Sequence, residues 1–323
     1  MTDRLWVPLL GHYREGEGGA VLDPARMAAH IGFIRKDVRQ FLLAGSTGDG
    51  WEFGWETMKD VIALSRRQDL FGGTRILFGA LRASTDDVVG WARAIEADIR
   101  ENGCPAGSYE GLAVCPPIDP DAGQDRILDH YRRVIDATES PIAVYQLPQV
   151  TGCSIAPDTM RTLAREERVT MFKDTSGADT VADAGVDGVV LVRGAEGGYV
   201  EALKPHGPYD GWLLSTGNAF GSPLRRMMEL AEAGDDERAR HLSAIVGRMV
   251  EALFAEAAKL PFGNPFSNAN RAVDHLWAHG ADWRSHEAPL TASGNRLPRA
   301  LLEAAEDLAG RFPALPARGY LAA

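Results

Sequence analysis

No stretch of about 18 consecutive apolar residues occurs in this chain of 323 residues, so none of it reads as a membrane-spanning helix. The start, Met-Thr-Asp-Arg, lacks the basic region and apolar stretch of a signal peptide, and a cytoplasmic location is the expectation. Cysteine is scarce. Cys104, Cys115 and Cys153 are odd in number and lack zinc-finger spacing, which points to reduced, packed thiols and implies no metal site. Positive charge is also short, with 34 Lys and Arg against 45 Asp and Glu and a formal net charge of -11. That balance argues against a nucleic-acid-binding surface, whose affinity comes largely from lysine and arginine displacing counterions. A small anion can still be held by a few well-placed cations. Low-complexity tracts and long charged linkers are missing too.

What is present is globular: 45% of residues are hydrophobic and 24% charged. Short apolar runs predict eight strands, at Leu5–Leu10, Gln40–Ala44, Arg75–Ala80, Gly111–Cys115, Pro141–Tyr145, Val169–Lys173, Gly188–Val192 and Gly211–Leu214. Amphipathic stretches lie between them, among them Glu56–Leu70, Thr85–Glu101, Asp125–Ala137 and Pro157–Arg165, with Ser84 and Asp158 as candidate caps. Alternation of strand and helix implies crossover connections and a parallel sheet. Eight such units, with strands too apolar to face water on either side, predict a closed (β/α)8 TIM barrel, an α/β fold, rather than an open doubly wound sheet. Beyond Gly221 the pattern is wholly helical, at Pro223–Ala233, Asp235–Ala258, Asn268–His279 and Pro298–Leu308. The expected division is therefore a barrel over residues 1–222 carrying the active site and a C-terminal helical appendage over 223–323, a candidate for oligomer contacts.

A barrel places its catalytic groups at the carboxyl ends of the strands. Lys173 ends the run Val169-Thr-Met-Phe-Lys173 and is followed by Asp174-Thr-Ser-Gly177. A lysine at a strand end usually turns its ammonium to water. A buried one loses hydration, its pKa falls, and the neutral amine can form a Schiff base with a carbonyl. The second strand ends in Gly45-Ser-Thr-Gly-Asp-Gly50, where Ser46 and Thr47 offer hydroxyls to a carboxylate. This turn has neither the Gly-Lys-Ser/Thr of a phosphate loop nor the spacing of a dinucleotide fingerprint, and by itself an ordinary tight turn explains it. Tyr145 ends the fifth strand. It is core packing when taken alone, and a proton shuttle beside a lysine on the neighbouring strand.

Gly45-Ser-Thr-Gly-Asp49, Tyr145-Gln-Leu-Pro148 with Thr151-Gly152, and Phe172-Lys-Asp-Thr-Ser-Gly177 together resemble the three signature segments of the dihydrodipicolinate synthase and N-acetylneuraminate lyase family. The Asn264-Pro265 turn and Ala288-Pro-Leu-Thr291 extend the resemblance over nearly the whole chain. It implies a barrel with a C-terminal helical domain, a homo-oligomer (tetramer or dimer), and a 2-oxo acid such as pyruvate held as an imine, with an aldehyde as a possible second substrate. Lys173 would form the imine, Tyr145 would donate and accept protons, and Thr47, helped by Ser46, would hold the carboxylate and relay protons. Leu213 matches a position lining the pyruvate pocket. The protonated imine is itself the electron sink, so no metal or organic cofactor is needed.

Departures from the family pattern separate the chain from a typical dihydrodipicolinate synthase. Val150 stands where the synthases have an arginine for the aldehyde partner's carboxylate, and Ile118 where they have a second tyrosine. Ser215-Thr216-Gly217-Asn218 and Glu196 resemble the sialic-acid lyase branch, although Ala195 replaces an acidic neighbour there. Ser215 and Glu196 are thus candidate substrate contacts. Arg82 and Arg193, at the ends of the third and seventh strands, are candidate anion clamps, with solvated rim arginines the alternative. Trp51, Phe53 and Trp55 could stack on a substrate or pack their own loop. Asp49, Asp174 and the eight histidines have no spacing that demands catalysis. The expectation is a 2-oxo-acid lyase or aldolase making or cleaving a C–C bond. The alternatives are a hydro-lyase of a sugar-acid-like 2-oxo acid using the same lysine, and a silent binding or regulatory member.

Overall fold

The computed structural model describes residues 3–310, 312 and 314–322. Eight parallel strands, Leu5–Pro8, Gln40–Leu43, Arg75–Gly79, Tyr109–Val114, Ile142–Gln146, Val169–Asp174, Val190–Arg193 and Gly211–Leu213, close into a barrel with the first strand paired to both the second and the last. The expected (β/α)8 barrel with C-terminal helices is what forms. The seventh strand starts two residues later than its apolar run, because Gly188 has φ +87°, outside strand geometry.

Strand periodicity sets up the interior. Trp6, Leu42, Leu77, Ala113, Ala143, Met171, Val192 and Leu213, one from each strand, form a buried cluster of their own, a layer of inward-pointing side chains. Side chains on a strand alternate, so two residues further on the chain points inward again, one layer nearer the carboxyl-end mouth. Those positions are Pro8, Ala44, Gly79, Cys115, Tyr145, Lys173, Gly194 and Ser215. Small residues there leave room that the lower layer fills with Trp, Leu and Met.

Helices cover the outside. Ser84 caps Thr85–Asn102, its Oγ accepting from the Asp87 amide, as the sequence predicts. Asp158 does not cap its helix: Ala156 holds the N-cap position, Pro157 follows at the first helical position, and Asp158 lies in the first turn. The predicted helix Glu56–Leu70 divides into Trp55–Ser65 and Gln68–Phe71. A hairpin, Tyr13–Gly16 with Gly19–Leu22, and a helix, Pro24–Ile34, follow the first strand and were passed over in the sequence reading. The helix has a legible start: Asp23 accepts from the Arg26 amide and Pro24 stands first in the helix.

The helix after the last strand runs Gly217–Glu232, with Phe220 off helical geometry and Pro223 inside. Its first turn, from Gly217, begins six residues earlier than predicted, and a kink at Phe220 separates it from the helix that crosses position 222 and contains Pro223. Helices Asp236–Ala257, Pro265–His279 and Arg299–Ala309 follow, with a 3-10 turn at Gly280–Ser285. Among the described residues no helix is long and apolar enough to cross a membrane.

Candidate active site

Lys173 sits one residue before the end of the sixth barrel strand and is 4% exposed, whereas the other four lysines, Lys36, Lys59, Lys204 and Lys259, are exposed. Strand register sets it directly beside Tyr145 on one side and Val192 on the other. Its Nζ lies 3.7 Å from the centroid of the Tyr145 ring. Burial, which disfavours the ammonium, pulls the amine from 10.5 down to about 7, while Cys115 and Glu196 act weakly in the other direction. Gly194, inward-pointing on the next strand, makes space for the side chain: a Cβ there would lie 2.9 Å from Lys173 Cε.

The Tyr145 phenol is buried and its pKa is raised, first by desolvation and then by Cys115, with the hydroxyls of Thr175 and Ser46 opposing the rise. Ser46 and Thr47 are themselves buried, in the turn that follows the second strand. That turn doubles back tightly, with Ala44 and Asp49 at φ +52° and +58°. A Cβ at Gly50 would stand 1.9 Å from the Ala44 carbonyl oxygen, so only glycine fits there. The turn is held from helix Pro265–His279, where Arg271 bonds the buried Asp49 carboxylate at 2.6 Å and Ser267 Oγ donates to the Thr47 carbonyl at 3.0 Å.

These groups line a cavity of about 190 Å³. Its polar wall comprises Ser46, Thr47, Tyr145, Gln149, Lys173, Thr175, Ser176, Glu196 and Ser215; Leu213, Leu147, Phe254 and Phe266 form much of the apolar wall. Glu196 accepts from Ser215 Oγ at 2.9 Å, from the Thr216 amide at 3.1 Å and from Tyr199 Oη at 3.0 Å. Burial raises its pKa, and these hydrogen bonds oppose the rise.

The two arginines expected as anion clamps do not face this cavity. Arg82 donates to the carbonyls of Gly50, Leu81 and Phe53 at 2.6–2.8 Å and stacks on Trp91, its guanidinium 3.3 Å from the ring centroid. Arg193 is taken up by Asp179 and the carbonyls of Ala195 and Gly197. It lines an adjoining groove along helix Asp236–Ala257, which shares Glu196 and Phe254 with the cavity. Lys173 is therefore the only basic side chain among the described residues lining the cavity. Trp51, Phe53 and Trp55 pack within the protein: Trp51 against the cluster of Leu81, Cys115, Tyr145 and Leu147, Phe53 in the main core, and Trp55 edge-on to Trp91. Ile118 and Val150 are exposed, and neither lines the cavity.

The sequence gives no site role to Thr175, Phe254 or Phe266, and marks Asn264 only as part of the Asn264-Pro265 turn, without its contact to Ser46. Thr175 had a signal, two residues past Lys173 in the segment already in view. The two phenylalanines lie on helices with no motif and meet at 4.8 Å between centroids. Among the described residues, the one group of side chains with metal-binding types is His12, His30 and Asp274. It is internally satisfied: the imidazoles share a 2.9 Å hydrogen bond, and the carboxylate is engaged by Arg26 and by Tyr320 Oη.

The sequence profile of the dihydrodipicolinate synthetase family matches residues 20–265. The chain belongs to that family. Among curated members, it is 26% identical over 305 residues to 4-hydroxy-tetrahydrodipicolinate synthase 1 of Streptomyces coelicolor, covering 91% of this chain and 90% of that one. A 4-hydroxy-tetrahydrodipicolinate synthase of Pelodictyon phaeoclathratiforme is 26% identical over 231 residues, 67% of this chain and 71% of its own. Solved structures share the fold. CdNal from Clostridium difficile, solved in complex with mannosamine, superposes with a TM-score of 0.77 at 15% identity over 96% of this chain and 100% of that chain. KD(P)GA from T. tenax superposes at 0.75 and 18% identity, over 97% and 99% of the two chains. As a member of this family the chain has the fold of its aldolases and lyases.

Proposed function

We propose that this protein is a 2-oxo-acid lyase or aldolase that works through a Schiff base on Lys173. The carrying observation is a buried amine held near pKa 7, beside a buried phenol, in a cavity of about 190 Å³ at the carboxyl end of the barrel. A neutral fraction of that amine is available at physiological pH, and a neutral amine is a nucleophile.

Lys173 Nζ attacks the C2 carbonyl of the 2-oxo acid; the Tyr145 phenol gives its proton to the carbinolamine hydroxyl, which leaves as water, and the protonated imine and the Tyr145 phenolate result. Removal of a proton from C3, or departure of an aldehyde fragment from C3, sends the bonding electrons into the imine and yields the enamine. Tyr145, as phenolate, takes the C3 proton in the first case. In the cleavage direction it takes the proton of the hydroxyl on the departing carbon, which leaves as an aldehyde. The Ser46 and Thr47 hydroxyls face the acid's carboxylate, and Leu213 supports the apolar side of the bound acid.

Among the described residues Lys173 is the only basic group in the cavity wall, and it is committed to the imine, so a second carboxylate held within the cavity would find no cation. This favours an uncharged fragment beyond C3, and Glu196 with Ser215 is suited to accept or donate hydrogen bonds to its hydroxyls. Val150, where a synthase has arginine, fits the same reading.

Borohydride reduction in the presence of pyruvate, followed by intact-mass measurement and peptide mapping, tests the proposal. The expected result is one adduct, on Lys173, with the four exposed lysines unmodified. Absence of an adduct with pyruvate and with a panel of other 2-oxo acids would remove the imine mechanism from this chain.

A further inference from the structure

The loops on the two sides of Lys173 bring different groups to the cavity. After the fifth strand comes the short helix Pro148–Thr151, from which Gln149 lines the cavity, whereas its neighbour Val150 is 36% exposed and does not. Glu196 follows the seventh strand and Ser215 lies just past the eighth. Strand order places Lys173 between these two flanks. Gln149 Nε2 donates to the Thr175 carbonyl at 2.8 Å, reaching across to the loop that follows Lys173. A carbonyl can only accept, so this bond fixes which way the side-chain amide faces. One N–H and the Oε1 acceptor of Gln149 are left over, and among the described residues neither has a hydrogen-bond partner.

We propose that Gln149 is a specificity-determining residue, whose remaining N–H and oxygen hold a hydroxyl of the fragment beyond C3 from the side of Lys173 away from Glu196 and Ser215. The inference deepens the reading given under Proposed function and rests on it. A primary amide donates to a hydroxyl oxygen and accepts a hydroxyl proton, so both of its free groups are used. Toward a carboxylate the same amide offers one donor and a repelling lone pair, with no positive charge. Position 149 stands in the cavity wall and position 150 outside it, so the residue of this loop that meets the fragment is neutral and polar. The substrate class that fits is a hydroxylated, uncharged aldehyde joined to or released from the 2-oxo acid.

Gln149→Met keeps the length of the side chain and removes both free polar groups, while Gln149→Arg supplies a cation at the same place. Gln149 is exposed at the outer edge of the cavity, so both changes leave the packed interior untouched. The experiment measures kcat/KM for addition of pyruvate to glyceraldehyde, to propanal, which has the same carbon skeleton without hydroxyls, and to succinic semialdehyde, with borohydride trapping of pyruvate on Lys173 alongside. The parent should prefer glyceraldehyde to propanal. Gln149→Met should trap pyruvate as the parent does and lose about 5-fold or more with glyceraldehyde but little with propanal. Gln149→Arg should raise the ratio of succinic semialdehyde to glyceraldehyde by at least about 10-fold. A parent that joins pyruvate to none of these aldehydes or does not distinguish glyceraldehyde from propanal, a Gln149→Met enzyme that keeps the preference, or an unmoved ratio in Gln149→Arg would overturn the inference while leaving the imine intact. Failure of the parent itself to form the pyruvate adduct would overturn both readings.

Discussion

Tyr145 and Lys173 face each other across two adjacent parallel strands, in direct register, with the lysine amine 3.7 Å from the centre of the phenol ring. Equal steps along neighbouring strands bring the amine and the phenol to the same height in the barrel, one layer above the Ala143 and Met171 side chains that fill its floor. No loop has to move to bring them together.

The amine's depressed pKa predicts a particular pH dependence. The rate of pyruvate trapping on Lys173 should rise through about pH 7 and then level off, because only the neutral amine attacks. A midpoint near the ordinary lysine value of 10.5 would show a solvated ammonium instead. The stability consequence has a definite sign: the unfolded lysine binds a proton up to about pH 10.5 and the folded one only up to about 7, so folding loses stability as pH falls through that window. Lys173→Met should therefore be more stable than the parent at pH 6, with an advantage that shrinks toward pH 10, as read from thermal melts.

Tyr145→Phe keeps the ring against which Lys173 packs and removes only the hydroxyl. Turnover should fall by about 10²-fold or more while the pyruvate adduct still forms. Steady-state kinetics beside borohydride trapping make the comparison, and an unchanged rate would leave Tyr145 with a packing role alone.

Glu196 favours the protonated form of Lys173. Glu196→Gln should move the trapping midpoint further below 7. The shift is expected only where Glu196 is ionised, above its own raised pKa, so the two trapping profiles should converge at acidic pH. An unmoved midpoint would mean that the carboxyl stays protonated through the working range.

The buried pair of Asp49 and Arg271 predicts a loss of stability. Asp49→Ala leaves the guanidinium unpaired in the interior and places alanine at φ +58°, and should cost about 3 kcal/mol or more in urea unfolding. Asp49→Asn tolerates the left-handed backbone better and should cost less.

The sequence was most legible where local pattern and tertiary placement coincide. Alternation along a strand puts Lys173 and Tyr145 on the inward face, and the glycine-rich turn after the second strand announces itself by composition. Side-chain direction was not legible. An arginine just past a strand end looks available to an anion, but at Arg82 the curled loop from Gly50 to Phe53 presents carbonyls that capture the guanidinium, and Trp91 covers its face. The C-terminal helices were visible as helices, while the contribution of Phe254, Asn264 and Phe266 to the cavity and its turn depends on how those helices fold back over the barrel, which periodicity does not encode.

The turn bearing Ser46 and Thr47 is secured by Asn264 and Arg271, partners 218 and 222 positions away in the sequence. During synthesis the barrel strands, and with them Lys173 and Tyr145, emerge from the ribosome before those partners do. A nascent chain that has completed its eighth strand thus holds the Lys173 amine and the Tyr145 phenol but not the groups that secure the turn of Ser46 and Thr47. The cavity takes its final form only with the last third of translation.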